Sequence, residues 1–255
     1  MDFIISASTD VGIVKETNQD SLFVRTIKTS QGRMVFAVLC DGMGGLSKGE
    51  VASAAVITAF TDWMNNSLSV LSDNIIDDLT IHRQWDTIAC DQNEKIKEYG
   101  RSIGVSLGTT VTALLLTAAR YYIMNIGDGR VYEITDSFKQ ITNDQTVAAR
   151  DVSDGLITQE QAEEDPRQNV LLQCVGASET VIPDFFYGDT VQNAVYMLCS
   201  DGFRHKIKPH EIHSTFHPSK MTNADGMKSQ SDALIAINKQ RIEEDNISVI
   251  TVRTF

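Results

Sequence analysis

Residues 34–45 read MVFAVLCDGMGG, a run of seven apolar residues that ends directly in an aspartate and a glycine-rich turn. An uncharged run of this length is typical of a strand that is buried on both faces. The acid at its end, Asp41, is then placed where a carboxylate is partly removed from water. A carboxylate there is unfavourable as an anion unless hydrogen bonds or a cation compensate it. This stretch therefore predicts a buried central strand and an acid that needs a partner.

Other apolar segments also have the length of buried strands, namely 21–25, 111–117, 121–126, 194–199 and 247–252. Helical spacing occurs in 50–65 and 83–99. The predicted inner faces include Val51 and Phe60 in the first helix, and Trp85 and Tyr99 in the second. The chain has no repeat of about 20–50 residues and no linker rich in proline and glycine. We therefore expect a single domain over residues 1–255.

Aspartates stand at the ends of these strands. Asp20 precedes one strand and Asp41 follows the next, so a hairpin connected through residues 28–31 places both acids at one edge. Asp201 follows segment 194–199 and Asp245 precedes segment 247–252, so antiparallel pairing would bring these two together as well. Asp128 follows segment 121–126. If the edges coincide, five carboxylates converge, and Mg²⁺ or Mn²⁺ is the natural compensation for ligands that are all oxygen.

Turn chemistry offers a simpler explanation, because Asp-Gly is a preferred dipeptide of hairpin turns. The chain contains five such dipeptides, at residues 41, 128, 154, 201 and 225. For any one of them taken alone, the turn is the better explanation. It does not explain an uninterrupted apolar strand that ends directly in the acid, as in residues 35–41.

The composition is that of an ordinary globular protein, with 42% hydrophobic and 22% charged residues among 255. No apolar stretch approaches the roughly 18 residues of a membrane helix, and the N-terminal residues lack a signal-peptide pattern. We therefore expect a cytoplasmic protein with no membrane insertion. The net charge of −12 makes nucleic acid and anionic membranes poor partners. The four cysteines show no C-x-x-C spacing, which argues against a disulfide framework.

Seven motifs, in order along essentially the whole chain, resemble the PPM or protein phosphatase 2C family of metal-dependent serine/threonine phosphatases in its compact bacterial form. They are TDVGIVKETNQDS (9–21), VLCDGMGGLSKGEVAS (38–53), GTTVTALLL (108–116), NIGDGRVYEIT (125–135), GLITQEQAEEDPRQNVLLQCVGAS (155–178), CSDGFR (199–204) and DNISVITV (245–252). The resemblance implies an α+β fold, a four-layer α-β-β-α sandwich of two antiparallel β-sheets flanked by helices. It also implies a flap segment at about 145–178.

The resemblance further implies an active site with two catalytic Mn²⁺ or Mg²⁺ ions and a third, weaker one. Asp41 would bridge the two catalytic ions, and the Gly42 carbonyl would bind one of them. Asp201 and Asp245 would be the remaining ligands of the other, while Asp128 would bind the third ion together with Asp201. The nucleophile would be water activated by the cations. The chain contains no G-x-S-x-G or Walker motif that would favour another mechanism.

Two further residues acquire roles from the resemblance. Asp20 matches an acid that accepts a hydrogen bond from metal-bound water. Lys15 stands where most members carry an arginine that grips the substrate phosphate, so a single point charge replaces a bidentate fork. Other departures are Met43 in place of the histidine of eukaryotic relatives and Gly129 in place of a serine. Residues 143–145 and 165–166 also depart from the family pattern.

The expected partners are phosphorylated protein substrates of a cognate serine/threonine kinase, and we expect a monomer. Two alternatives stay open. One is a catalytically weak regulatory module that binds phosphoproteins, suggested by Lys15 and Gly129. The other is a two-metal hydrolase of small phosphate esters.

Histidines and Arg130 leave two smaller questions open. Four histidines lie within residues 205–217, and three of them could share a helical face, which raises the alternative of a zinc site. Arg130 would either orient Asp128 or cap a surface turn.

Overall fold

The computed structural model describes residues 1–30, 32–43, 48–68 and 77–255. Gln31 of the predicted hairpin connection and residues 44–47 of the 38–53 motif lie outside the described residues. Within the described part of the chain, no helix is both long enough and apolar enough to cross a membrane.

Runs of consecutive strands are separated by helices along the chain. The strands are β1 (Phe3–Asp10), β2 (Asp20–Thr29), β3 (Gly32–Met43), β4 (Gly108–Thr109), β5 (Val111–Leu116), β6 (Arg120–Ile126), β7 (Arg130–Ile134), β8 (Phe138–Gln140), β9 (Asp184–Asp189), β10 (Val195–Cys199) and β11 (Ile247–Thr254). The α-helices are α1 (Gly49–Trp63), α2 (Asp78–Ile103), α3 (Val147–Ser153), α4 (Gln159–Glu163), α5 (Asp201–Arg204), α6 (Pro209–Phe216) and α7 (Ala224–Gln240), and a π-helical turn, Met64–Leu68, extends α1.

Two antiparallel sheets organise these elements. One has the strand order β1-β11-β10-β7-β8, and the other has the order β2-β3-β5-β6-β9, with β4 pairing beside β3. Every predicted apolar segment coincides with one of these strands, except that Thr117 and Ala194 lie one residue outside β5 and β10. The expected α+β fold with two antiparallel sheets is therefore confirmed.

Strand β3 shows why the sheets pack face to face. Its side chains alternate between two apolar surroundings, as the two-residue period of a strand requires. One set faces the other sheet and the second set faces α1 and α2; the first is Val35, Ala37 and Leu39, and the second is Phe36, Val38 and Cys40. Burying one such large side chain contributes about 1.5–3 kcal/mol. The apolar run of residues 34–40 is thus buried on both faces.

A third cluster covers the outer face of the other sheet. Residues of β7, β10 and β11 pack there against α5, α6 and α7. Phe203 and Phe216 stack with ring centroids 6.1 Å apart and parallel to within 10°. Helices, two sheets and helices therefore form the four layers expected of the sandwich.

Two residues of the predicted helical faces were placed wrongly. Val51 and Tyr99 are 37% and 40% exposed. The buried stripe of α1 instead passes through Ala52, Val56 and Phe60. The helix has a period of 3.6 residues, which places Val51 outside this stripe. The hydrophobicity of Val51 alone had suggested the inner face.

Candidate active site

Strands β2 and β3 bring the first two acids together. Asp20, the first residue of β2, pairs directly with Asp41 of β3, so the expected antiparallel hairpin is confirmed. The backbone of Asp41 is held by Thr109 of β4 and by Thr110, which lies between β4 and β5. Its N–H donates to Thr110 Oγ1 at 3.0 Å, and its carbonyl accepts from the Thr110 N–H and the Thr109 hydroxyl, both at 2.9 Å. These hydrogen bonds therefore hold the backbone of Asp41 in place at the edge of the sheet.

Strands β10 and β11 of the other sheet bring a second pair of acids to their ends. Asp201 opens α5 just after β10, and Asp245 lies two residues before β11. A Cβ atom at Gly202 would lie 2.2 Å from the Asn246 carbonyl oxygen and 3.3 Å from Asp245 Cβ. A residue without a side chain is needed here, because it lets the two loops approach closely enough to bring their acids together.

One cavity of about 290 Å³ gathers most of the predicted site. Its lining comprises Lys15, Gln19, Asp41, Gly42, Met43, Thr110, Asp128, Asn169, Leu171, Asp201 and Asp245. Asp20 does not line it, but is buried beside Asp41. The residues expected to bind metal and phosphate thus converge from five separate segments of the chain.

Three acids at this site, Asp20, Asp41 and Asp128, have raised pKa values. Burial raises the pKa of Asp41 well above its ordinary value, and the carboxylates of Asp20 and Asp201 raise it further. Burial also raises the pKa of Asp20 to about 7, and Asp201 adds to the effect. The pKa of Asp128 is likewise raised to about 7 by burial and by Asp201, although Arg204 opposes the shift. The protein alone does not compensate the negative charge of this site.

These acids fit divalent cations. The Asp20 carboxylate is buried, and the nearby hydroxyls of Ser248 and Ser200 do not prevent the rise of its pKa, so its charge is costly unless a cation compensates it. The acids that line the cavity offer oxygen ligands only, as Mg²⁺ and Mn²⁺ prefer. Among residues 1–30, 32–43, 48–68 and 77–255, no three acidic, histidine or cysteine side chains already form a cluster that could hold an ion. The acids surround the cavity rather than closing on one point, as expected of carboxylates that repel each other.

Arg204 has a structural role that the sequence did not reveal. Its guanidinium donates to Asp128 Oδ2 at 3.2 Å and to the Asp128 carbonyl at 3.1 Å, and lies 3.4 Å from Asp144 Oδ2. Arg130 takes neither of its expected roles, because it forms a bidentate pair with Asp144, with N···O distances of 2.7 and 2.6 Å. Arg204 therefore contacts Asp128. In the sequence, Arg204 is the last residue of the motif CSDGFR, and nothing else there indicated this contact.

Asn246 is a second residue that the sequence analysis missed. Its side-chain amide donates to the carbonyls of Val11 and Thr17 at 2.9 and 3.2 Å, and its Oδ1 accepts from the Gln19 N–H at 2.8 Å. These hydrogen bonds connect the loop that carries Lys15 to the loop that carries Asp245. The sequence signal that could have indicated this role is the position of Asn246 directly after Asp245 in the motif DNISVITV.

Lys15 lies at the cavity, as expected for a phosphate-binding residue. Its Nζ atom is 3.2 Å from Asp245 Oδ1, and its side chain is 41% exposed. Segment 145–178 also reaches the cavity, through Asn169 and Leu171, which the sequence analysis had not singled out. Leu171 forms a bridge to Thr146 at the start of this segment.

The histidines of residues 205–217 have separate surroundings. His213 Nε2 is 3.1 Å from the Thr135 carbonyl, whereas His217 Nε2 is 3.2 Å from Asp136 Oδ1. His205 lies near Asp201 instead. In the part of the chain that the structure describes, they do not form a cluster for a zinc ion.

A four-layer sandwich with carboxylates from both sheets at one cavity, and a lysine beside them, defines the class of metal-dependent phosphatases. The comparison with known families agrees. The family model described as Protein phosphatase 2C matches residues 13–233, so the chain belongs to the protein phosphatase 2C family.

Known proteins similar over nearly the whole chain support this membership. The serine/threonine phosphatase stp of Listeria innocua is 29% identical, over 96% of this chain and 93% of its own. The solved serine/threonine phosphatase of S. agalactiae has a TM-score of 0.84 at 25% identity, with 100% of both chains covered. The catalytic domain of the serine threonine protein phosphatase PstP, solved with 2 manganese ions, has a TM-score of 0.77 at 25% identity and 99% coverage of both chains. The expectation of a metal-dependent serine/threonine phosphatase is confirmed.

Proposed function

We propose that this cavity is the active site and that Asp41, Gly42, Asp201 and Asp245 hold two divalent cations in it. Asp128 binds a third, weaker cation together with Asp201. The observation that carries the proposal is the convergence of four acids on one cavity of about 290 Å³. Burial and neighbouring carboxylates raise the pKa of Asp41 and of Asp128, which supports cations as the missing compensation.

The chain hydrolyses phosphoserine and phosphothreonine of protein substrates at this site. Bound cations would supply a water that is nucleophilic near neutral pH and would offset charge on the phosphoryl group. Asp20 is buried beside Asp41 just outside the cavity lining, where it would accept a hydrogen bond from water held by the bound cations. Lys15 at the same cavity attracts the phosphate dianion and orients it. Thr109 and Thr110 keep the backbone of Asp41 fixed through these steps.

The proposal also has finer features, for which family membership is the support. We propose that Mn²⁺ or Mg²⁺ serves as the cation, and the two manganese ions of the PstP structure favour Mn²⁺. The substrates are phosphoproteins made by a cognate serine/threonine kinase. The chain acts as a cytoplasmic monomer, with residues 1–255 forming one phosphatase domain and residues 145–178 its flap. Asn169 and Leu171 of that segment line the cavity, which supports this proposal.

The purified chain is expected to release phosphate from a phosphothreonine peptide with Mn²⁺ or Mg²⁺ and to stop when EDTA is added. Parallel assays with an aryl phosphate and a nucleotide distinguish a protein phosphatase from a hydrolase of small esters. A higher kcat/KM for the nucleotide than for the peptide would contradict the proposed substrate class. If no substrate is turned over with either cation, a phosphoprotein-binding module replaces the enzyme as the best explanation.

Substitution of Lys15 tests the proposed phosphate contact. Lys15→Ala is expected to raise KM for the phosphopeptide by about 10-fold, since a charge-assisted contact contributes about 1.5–3 kcal/mol. Lys15→Arg is expected to lower KM by a few-fold, because a guanidinium can grip a phosphate with two parallel hydrogen bonds. Steady-state kinetics at saturating Mn²⁺ measure both. Lys220→Ala, an exposed lysine outside the cavity, is the matched control. An unchanged KM and kcat in Lys15→Ala would remove the assigned role.

A further inference from the structure

A buried histidine–glutamate pair lies next to the proposed cation ligands and has no role in the proposed reaction. The side chain of His205 is 18% exposed and that of Glu243 is 4% exposed. His205 directly follows α5, the helix that Asp201 opens, and Glu243 lies two residues before Asp245. Burying two ionisable groups is unfavourable unless each compensates the other or a neighbour.

His205 stands between two carboxylates. Its Nε2 atom is 3.5 Å from Asp201 Oδ2, and its Nδ1 atom is 3.6 Å from Glu243 Oε1. These distances are those of charge contacts rather than short hydrogen bonds. The backbone N–H of His205 donates to the Asp201 carbonyl at 3.0 Å, which holds the ring on the same short helix as the acid that it faces.

Glu243 fixes the other acid through the backbone. Its Oε1 atom accepts the N–H groups of Glu244 and Asp245, each at 3.1 Å. The oxygen that faces His205 thus also anchors the chain at Asp245. One side-chain pair therefore connects two acids that lie 44 residues apart in sequence and enter the cavity from different strands. The second oxygen, Oε2, is buried without a hydrogen-bond partner.

The backbone just before Glu243 shows that this turn is held in place. Ile242 has φ 59°, in the left-handed region, which is rare for a β-branched residue. Its side chain does not explain the conformation, because the residue is 64% exposed. Such strain, on the order of 1–3 kcal/mol, persists only where the surroundings determine the turn. The bonds that hold it here include the Glu243 N–H, which donates to the Asn238 carbonyl at 3.0 Å.

We propose that His205 and Glu243 are positioning residues that hold Asp201 and Asp245 in place for cation binding and thereby set the affinity of the site. The inference rests on the proposed function, which assigns these two aspartates as ligands. Groups that orient metal ligands from outside the coordination sphere typically change metal affinity by about 10- to 100-fold when they are removed. The same magnitude is expected for this pair.

Mn²⁺ binding to the full chain tests the pair without relying on turnover. His205→Ala and Glu243→Ala are each expected to raise the Mn²⁺ dissociation constant by at least about 10-fold in isothermal titration calorimetry. His205→Gln, which keeps a donor for Asp201, is expected to recover part of the loss. Glu243→Gln, which keeps an acceptor for the two N–H groups, is expected to do the same. His217→Ala is the matched control, because it removes a histidine that contacts a different carboxylate, Asp136. It is expected to leave Mn²⁺ binding unchanged.

Kinetics separate positioning from a general structural defect. The kcat of His205→Ala is expected to return close to the wild-type value when Mn²⁺ is raised about 10- to 100-fold, whereas a misfolded site would not respond to more metal. Asp201→Asn is measured in parallel. If it binds Mn²⁺ like the wild type, the ligand assignment and the proposed function fail first. If Asp201→Asn loses binding while His205→Ala, His205→Gln and both Glu243 variants bind like the wild type, the positioning role alone is overturned.

Discussion

Replacement of Asp41 by asparagine is expected to lower kcat/KM for a phosphopeptide by at least about 1,000-fold, since losing this proposed cation ligand would forfeit several kcal/mol of charge stabilisation. The same substitution is expected to raise the thermal stability of the metal-free protein at pH 8. Asp41 is crowded by other carboxylates that raise its pKa, so its removal relieves repulsion in the folded chain. Phosphopeptide kinetics with Mn²⁺ and a thermal melt in EDTA give the two readouts.

Asp154→Asn is the matched control for Asp41→Asn. Asp154 also begins an Asp-Gly dipeptide, but it is exposed after α3 and does not line the cavity. Its substitution is expected to leave both activity and stability nearly unchanged. A similar small effect at Asp41 would mean that turn chemistry, rather than a cation site, explains the aspartate at the end of β3.

The metal-free protein is expected to lose stability as the pH rises from 5.5 to 8.5. The pKa of Asp20 and of Asp128 is raised from 3.8 to about 7 on folding, by burial first and then by neighbouring carboxylates. A raised folded-state pKa contributes stability that is complete below about pH 4 and is lost as the pH passes through 7. Between pH 5.5 and 8.5, each acid is expected to lower the free energy of unfolding by roughly 2 kcal/mol. For the two acids together this is about 10 °C in Tm.

Saturating Mn²⁺ is expected to remove most of that loss, because the cation binds the ionised acids and offsets their repulsion. Differential scanning calorimetry with EDTA and with Mn²⁺, at pH 5.5, 7.0 and 8.5, measures the two curves. Asp128→Asn in EDTA is expected to flatten the dependence on pH. A metal-free protein whose Tm is constant or rises between pH 5.5 and 8.5 would contradict the crowding of charge at this cavity.

The central strands and the acidic edge were predictable because their signals are local. The run 35–40 has no charge, so it could only be buried, and the two-residue period fixed which of its side chains face each layer. An acid before one strand and an acid after the next meet whenever the two strands form a hairpin, as the direct pairing of Asp20 with Asp41 shows. The convergence of all the site's segments on one cavity needed the family resemblance, since strand ends alone do not tell which edges coincide.

The residues that support the acids were not predictable, because their contacts are long-range and their chemistry is common. Arg204 reaches Asp128 across 76 positions, and Asn246 reaches Val11 across 235. Arginines and asparagines are usually solvated, so no local pattern marks these two. Strand β9 (Asp184–Asp189) was missed for a different reason. It is a half-exposed edge strand that lacks the continuous apolar run of the central strands.

The division of the acids between the two sheets has a consequence for how activity arises during folding. Strands β2 and β3 carry Asp20 and Asp41, whereas the ends of β10 and β11 in the other sheet carry Asp201 and Asp245. A chain in which only one sheet has formed holds two of these four acids and has no reason to bind metal tightly. Recovery of hydrolysis during refolding would therefore time the docking of the two halves, whereas circular dichroism would time the formation of the strands.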